Sequence, residues 1–135
     1  MQYVYIVTIA LHVMAGVYWA GITIAIARHP EIRVEKTYPT QIGSGTMAVL
    51  TGGLLWYFFH GAYFGRTEQV LAVGILSAFA ALAVLLFVVG PARQKLADAN
   101  SGKEEQLRRR MARGEGIAAR LLVVTVLCMA VSRMV

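Results

Sequence analysis

The sequence is poor in charged residues and in cysteine. Only 15% of its 135 residues are Asp, Glu, Lys or Arg, against about 25% in an average soluble domain. The single cysteine, Cys128, excludes an intrachain disulfide and any Cys-x-x-Cys metal or redox motif. Hydrophobic residues make up 58% of the chain instead. This composition indicates that lipid, rather than water, surrounds much of the protein.

Four long apolar runs cover most of the chain, at residues 3–27, 43–65, 69–91 and 116–134. A helix needs about 20 mostly apolar residues to cross a bilayer, and each run meets or approaches that length. The seven acidic residues all fall outside these runs, as expected because a charge at the bilayer centre costs at least about 2.5 kcal/mol. We therefore predict an all-α, polytopic membrane protein: a single domain, residues 1–135, with four transmembrane helices in an antiparallel bundle.

The basic residues are concentrated on one side of the predicted bundle. Eleven of the 13 lysine and arginine residues flank or occupy the first connection or the polar third connection, residues 92–114. Because basic connections stay in the cytoplasm, we expect both termini outside the cytoplasm (N-out, C-out), in a bacterial inner membrane. The net charge of +6 then indicates contact with anionic lipid headgroups rather than with nucleic acid. We expect the third connection to extend both flanking helices and to break them at Asn100-Ser101-Gly102.

His12 is the first candidate for a functional side chain. It lies about nine residues into the first run, roughly 13 Å from the outer boundary at 1.5 Å per residue. At that depth an imidazole needs a hydrogen-bond partner or a metal, because lipid offers neither. Gly16 and Trp19 follow His12 on the same helical face. The absence of a side chain at Gly16 would let a flat macrocycle approach the backbone.

A second histidine, His60, lies near the outer end of the second run, with Trp56 and Gly53 one and two turns before it. In antiparallel helices both histidines are predicted in the outer half of the membrane, about one helical turn (5–6 Å) apart in depth. Two imidazoles on neighbouring helices can hold a haem iron. The residues predict a haem b site with axial ligands His12 and His60 and with walls formed by Gly16, Trp19, Gly53 and Trp56. The alternative left open is that each histidine is a helix–helix hydrogen-bonding group, or, for His60, that it reaches water.

The segment from Leu11 to Gly21 resembles the opening helix of two related groups, the copper-resistance protein D family and the HemJ-type protoporphyrinogen oxidases. Their pattern is Leu-His, a Trp seven residues after the His, and a Gly two residues further on, which Leu11, His12, Trp19 and Gly21 match. The resemblance covers one helix and implies four or more spans and ligation of a b-type haem by His12. The third run has no basic residue where the HemJ-type oxidases carry a Lys, which argues against protoporphyrinogen oxidation.

These features predict a membrane b-type haem protein that acts in electron transfer or as a redox subunit, with no catalytic residue assigned. It would be an oxidoreductase if it is an enzyme. Two alternatives are left open: a non-catalytic accessory or scaffold subunit of a larger membrane complex, and a HemJ-like protoporphyrinogen oxidase. A small proton-coupled transporter is disfavoured because such exporters use a carboxylate within the membrane, and the four runs contain none. Whether the chain forms a homo-oligomer is also left open.

Overall fold

The computed structural model describes residues 2–29 and 31–135, and these residues form an all-α protein. Its four long helices are α1 (Gln2–Arg28), α2 (Val34–Phe59), α3 (Arg66–Leu96) and α4 (Ser101–Val131), each long and apolar enough to cross a membrane. Only 17% of the most apolar window of α1, and the same share of that of α2, is buried inside the bundle. The remaining apolar surface is suited to lipid, and the predicted four-span fold is confirmed.

The bundle is built from two hairpins. α1 packs mainly against α2, α3 packs mainly against α4, and contacts between α1 and α4 join the two pairs. Glycines allow α3 and α4 to approach closely: a Cβ on Gly114 would lie 2.8 Å from Val89 Cγ2, and one on Gly74 would lie 3.0 Å from Cys128 Cβ. Small residues at such crossings are typical of membrane bundles, where close backbone packing replaces the hydrophobic driving force.

The start of α2 differs from the prediction. The helix begins at Val34 rather than at residue 43, and it contains Pro39 instead of following it. Because Pro39 has no N–H, the carbonyl of Glu35 four residues earlier loses its usual helical partner. Arg93 of α3 supplies a replacement, since its Nη2 donates to the Glu35 carbonyl at 3.3 Å. The guanidinium of Arg93 also lies 5.1 Å from the centre of the Tyr38 ring.

A wide turn interrupts α3 near its polar end. Residues Leu85–Val89 form a π-helical turn, and the N–H of Gly90 donates to the Leu85 carbonyl. Pro91 follows and has no N–H to donate, which disfavours the regular bonding pattern here. The hydroxyl of Tyr38 from α2 donates to the same Leu85 carbonyl at 3.2 Å. The helix then continues to Leu96, five residues beyond its predicted end.

The polar third connection is mostly helical, as predicted. Only residues 97–100 separate α3 from α4. α4 begins at Ser101, where the side chain of Asn100 accepts a hydrogen bond from the N–H of Lys103 at 3.0 Å, a regular N-cap. The burial of one acidic residue in this part of α4 was not predicted. Glu115, placed by its sequence position just outside the fourth apolar run, lies within α4 with no exposed surface.

Candidate functional site: an apolar groove around His12

An apolar groove of about 800 Å³ lies among the four helices. Its walls are mainly aliphatic and aromatic, and they include Phe79 of α3 and Leu122 of α4. Ligand pockets commonly have volumes of about 300–1,000 Å³, so the groove is large enough for an extended cofactor. Five of the six residues predicted for the site line this groove: His12, Gly16, Trp19, Gly53 and Trp56.

The His12 ring is held by the backbone of α2. Its Nδ1 lies 2.9 Å from the carbonyl oxygen of Ala48 and 3.1 Å from the hydroxyl oxygen of Thr51. A carbonyl oxygen can only accept, so Nδ1 carries the proton and donates to Ala48. In the neutral ring Nε2 then keeps its lone pair. Metal-binding histidines are commonly oriented by this kind of Nδ1–H to carbonyl bond.

Glycines on α1 and α2 make room for the ring and for the groove. A Cβ on Gly52 would lie 3.0 Å from His12 Cε1, so the imidazole occupies the space that a side chain would fill. At Gly16 and Gly53 an added Cβ would meet nothing within 4 Å, which leaves these stretches of backbone open to the groove. Sequence reasoning assigned Gly16 and Gly53 to the haem site but not Gly52, which lies beside Gly53. The close approach of His12 to Gly52 is the kind of contact that small residues allow between membrane helices.

Trp19 lines the groove and packs against α2. It is only 2% exposed, and a Cβ on Gly45 would lie 2.8 Å from its Cε2 atom. The indole Nε1 has no hydrogen-bond partner among the residues that the structure describes. The flat ring therefore rests directly on the backbone of α2.

His60 lies outside the groove. It caps the C-terminus of α2, its ring stacks on Trp56 with centroids 4.3 Å apart, and its Nε2 is 3.9 Å from Glu68 Oε1 at the start of α3. Gly52, which contacts His12, precedes His60 by eight residues, roughly 12 Å along the helix. The structure therefore brings His12 together with four of the other predicted residues and leaves His60 more than two turns away.

The early start of α2 explains this difference in depth. α1 ends at Arg28 and α2 begins at Val34, so residues at the same level have numbers that sum to about 62, since each residue rises by the same amount. His12 is thus level with residue 50, in agreement with its contacts to Ala48 and Thr51. A helix beginning at residue 43 would instead have brought His12 close to the level of His60.

A buried polar network lies beside the groove, and sequence reasoning missed it. Thr23, Gln41 and Glu115 have no exposed surface. The Gln41 Nε2 donates to Thr23 Oγ1 at 2.9 Å and to Glu115 Oε2 at 2.7 Å. The shared level of Thr23 and Gln41 could have been found from the correct helix ends. The approach of Glu115 from α4 had no local signal beyond its position between Gly114 and Gly116.

No protein-family model, curated protein or solved structure matches this chain significantly. Within residues 2–29 and 31–135, no group of three or more His, Cys, Asp or Glu side chains is close enough to hold a metal ion by itself. The resemblance of residues 11–21 to the copper-resistance protein D family and the HemJ-type oxidases stays a prediction.

Proposed function

We propose that this chain is a membrane-embedded b-type haem protein that takes part in electron transfer, and that His12 would bind the haem iron. The observation that carries the proposal is the orientation of His12: Nδ1 lies 2.9 Å from a main-chain carbonyl, and the ring lines an apolar groove of about 800 Å³. An imidazole held in this way has one nitrogen free to bind a metal.

The residues of the groove fit a haem. The macrocycle itself supplies four nitrogen ligands, so one imidazole is a sufficient ligand from the protein, as in globins and peroxidases. The open backbone at Gly16 and Gly53 is suited to a flat ring, and the largely aliphatic walls are suited to its apolar faces. When bound, the iron would supply one-electron chemistry.

The chain's own residues would bind and tune such a group. The Ala48 carbonyl, as acceptor for Nδ1–H, fixes the orientation of the imidazole and raises its basicity as a ligand. Trp19 and Trp56 line the groove, and the apolar walls around them limit the access of water, which influences the redox potential.

Of the two predicted histidine ligands, His12 alone lines the groove and would bind the iron. His60 does not line the groove and instead contacts Trp56 and Glu68, so the proposal gives it no part in binding the iron. Met129 of α4 does line the groove, and a thioether is an axial ligand in cytochromes c. The proposal does not depend on this second ligand.

Reduced-minus-oxidised absorption spectra of the protein purified in detergent test the proposal. The wild type should show the Soret and α bands of a b-type haem. His12→Ala should lose these bands, while the matched control His60→Ala should keep them. If the wild type shows no bands and instead co-purifies stably with another membrane protein, the chain is an accessory subunit and the haem proposal is wrong.

A further inference from the structure

The buried polar network of Thr23, Gln41 and Glu115 lies one helical turn from the contact between Trp19 and Gly45. It lies towards the ends of the helices that the connections 29–33 and 97–100 join, which are called the polar helix ends here. Thr23 follows Trp19 by four residues, and Gln41 precedes Gly45 by four, which is about one turn in each helix. The network therefore lies next to the contact between Trp19 and Gly45. Glu115 reaches it from α4, so the three side chains connect both hairpins of the bundle.

Two oxygens of this network have no hydrogen-bond partner within the described part of the chain. They are Oε1 of Gln41 and Oε1 of Glu115, and both are buried. If Glu115 were ionised, both oxygens would be acceptors without a donor. Leaving buried polar groups unpaired costs about 1–3 kcal/mol each, and more for a charged group. An ionised Glu115 is therefore a poor match for its surroundings.

A single proton on Glu115 would give both of these oxygens a hydrogen-bond partner. The Gln41 Nε2 already donates to Oε2 of Glu115 at 2.7 Å, so the amide and the carboxyl group lie side by side. A proton on Oε1 of Glu115 makes that atom a donor, and the other oxygen of the network that lacks a partner within the described residues is the amide oxygen of Gln41. Every polar atom of the pair then has a partner.

We propose that Glu115 is a proton-binding site, in which the protonated carboxyl group forms a cyclic pair of hydrogen bonds with the Gln41 amide. The proton comes from water at the polar helix ends and returns there on release, leaving a carboxylate, and no electrons are transferred. The proposal does not depend on a haem in the groove.

The surroundings of Glu115 are better suited to a proton than to a metal ion. Calcium takes six to eight oxygen ligands, whereas this network contains four side-chain oxygens, two of which already accept from Gln41 Nε2. The titratable neighbour on α2 is Tyr38, which interacts electrostatically with Glu115 and with Arg93 of α3. α1 contributes only a hydroxyl to the network. On α4 itself Arg113 and Arg120 are exposed.

Proton binding would couple charge to the packing of the two hairpins. Without its proton, Glu115 would place a carboxylate oxygen near the Gln41 amide oxygen, and these two acceptors repel each other. The contact between α2 and α4 would weaken. The site would thus make the assembly of the bundle sensitive to protonation on the side of the membrane that the polar helix ends face.

Infrared spectroscopy of the purified protein in lipid tests this proposal, because a protonated carboxyl group has its own C=O stretching band, which shifts in D₂O. At neutral pH the wild type should show this band and Glu115→Gln should lack it. Glu105→Gln is the matched control on the same helix. Its carboxylate is 69% exposed and pairs with Arg109, so this variant should keep the band.

Glu115→Gln and Gln41→Leu have different expected effects on the protein and on the band. Glu115→Gln should fold, since its amide can donate to Gln41 Oε1 as the acid would. Gln41→Leu removes the acceptor, so the band should remain and move to higher frequency. The proposal is overturned if the wild type has no protonated carboxyl band at neutral pH, if Glu115→Gln keeps the band, or if Gln41→Leu leaves its frequency unchanged.

Discussion

At the scale of single residues, glycines of α2 determine where the aromatic rings of α1 can lie. A Cβ on Gly45 would lie 2.8 Å from the Trp19 ring, and one on Gly52 would lie 3.0 Å from the His12 ring. Gly43 lies two residues before Gly45 on the same helix, and an added Cβ there would meet nothing within 4 Å. Gly45 and Gly52 therefore leave room for rings of α1, whereas Gly43 does not, although all three glycines are helical.

This difference predicts opposite effects of one added methyl group. Gly45→Ala should destabilise the protein by about 1–3 kcal/mol, because the buried Trp19 ring has to move, as in other overpacked cores. Gly43→Ala should be neutral or stabilising by up to about 1 kcal/mol, because alanine costs less backbone entropy in a helix. Thermal unfolding in detergent measures both. Equal midpoints for the two variants would contradict the Trp19 contact.

At the scale of helices, an interaction between α2 and α3 permits a proline inside α2. The Glu35 carbonyl, which Pro39 cannot bond, accepts from Arg93 at 3.3 Å. The helix starts at Val34, upstream of this contact, and that start brings His12 level with Ala48 and Thr51. The depth of the candidate ligand in the bundle thus depends on how the first turns of α2 are stabilised.

A double-mutant cycle tests this role of Arg93. Arg93→Met should cost about 1–2 kcal/mol in the wild-type background, from the lost hydrogen bond to a charged donor and the lost contact with the Tyr38 ring. In Pro39→Ala the restored N–H can bond the Glu35 carbonyl, so the same Arg93→Met change should cost less. Urea unfolding in mild detergent gives the four stabilities. Strictly additive effects would show that Arg93 does not replace the missing helical bond.

The existence of the four helices was predictable from the sequence, and so were the ends of α1. The ends of α2 were not: the helix runs from Val34 to Phe59 rather than from 43 to 65. Apolar runs report which residues face lipid, whereas residues 34–42 are a polar and mixed segment. The carbonyl that Pro39 leaves without a helical partner there accepts from Arg93, far away in the sequence. The wrong start of α2 produced the wrong depth for His60. Five residues of the site were found because His12, Trp19 and the glycines share helical faces, which local spacing does report.

Glu115 could not be predicted as a buried residue for a related reason. A hydropathy argument treats a carboxyl group as charged and places it at the membrane edge. Its burial depends on Gln41, which lies 74 residues earlier in the chain. Such long-range polar pairs leave no periodic signal in the sequence, so the network follows only from the packing of the two hairpins against each other.

At the scale of the whole molecule, both hairpins are needed to form the groove. α1 and α2 provide His12 and the glycines, while α3 and α4 provide apolar walls such as Phe79 and Leu122. At the polar ends, Arg108 of α4 bridges to Glu35 of α2 at 2.9 Å, which places the basic segment of α4 beside the start of α2. The orientation of this end towards the cytoplasm stays a prediction from the distribution of positive charge.

The haem content of His12→Gly, purified with and without added imidazole, tests the central claim most directly. The claim is that one imidazole in the groove, held by the Ala48 carbonyl, binds the iron. The wild type should carry about one haem per chain, His12→Gly should carry almost none, and imidazole in the growth medium and buffers should restore it by filling the space of the lost side chain. A wild type without haem, or a His12→Gly protein that keeps its haem without imidazole, would contradict the claim.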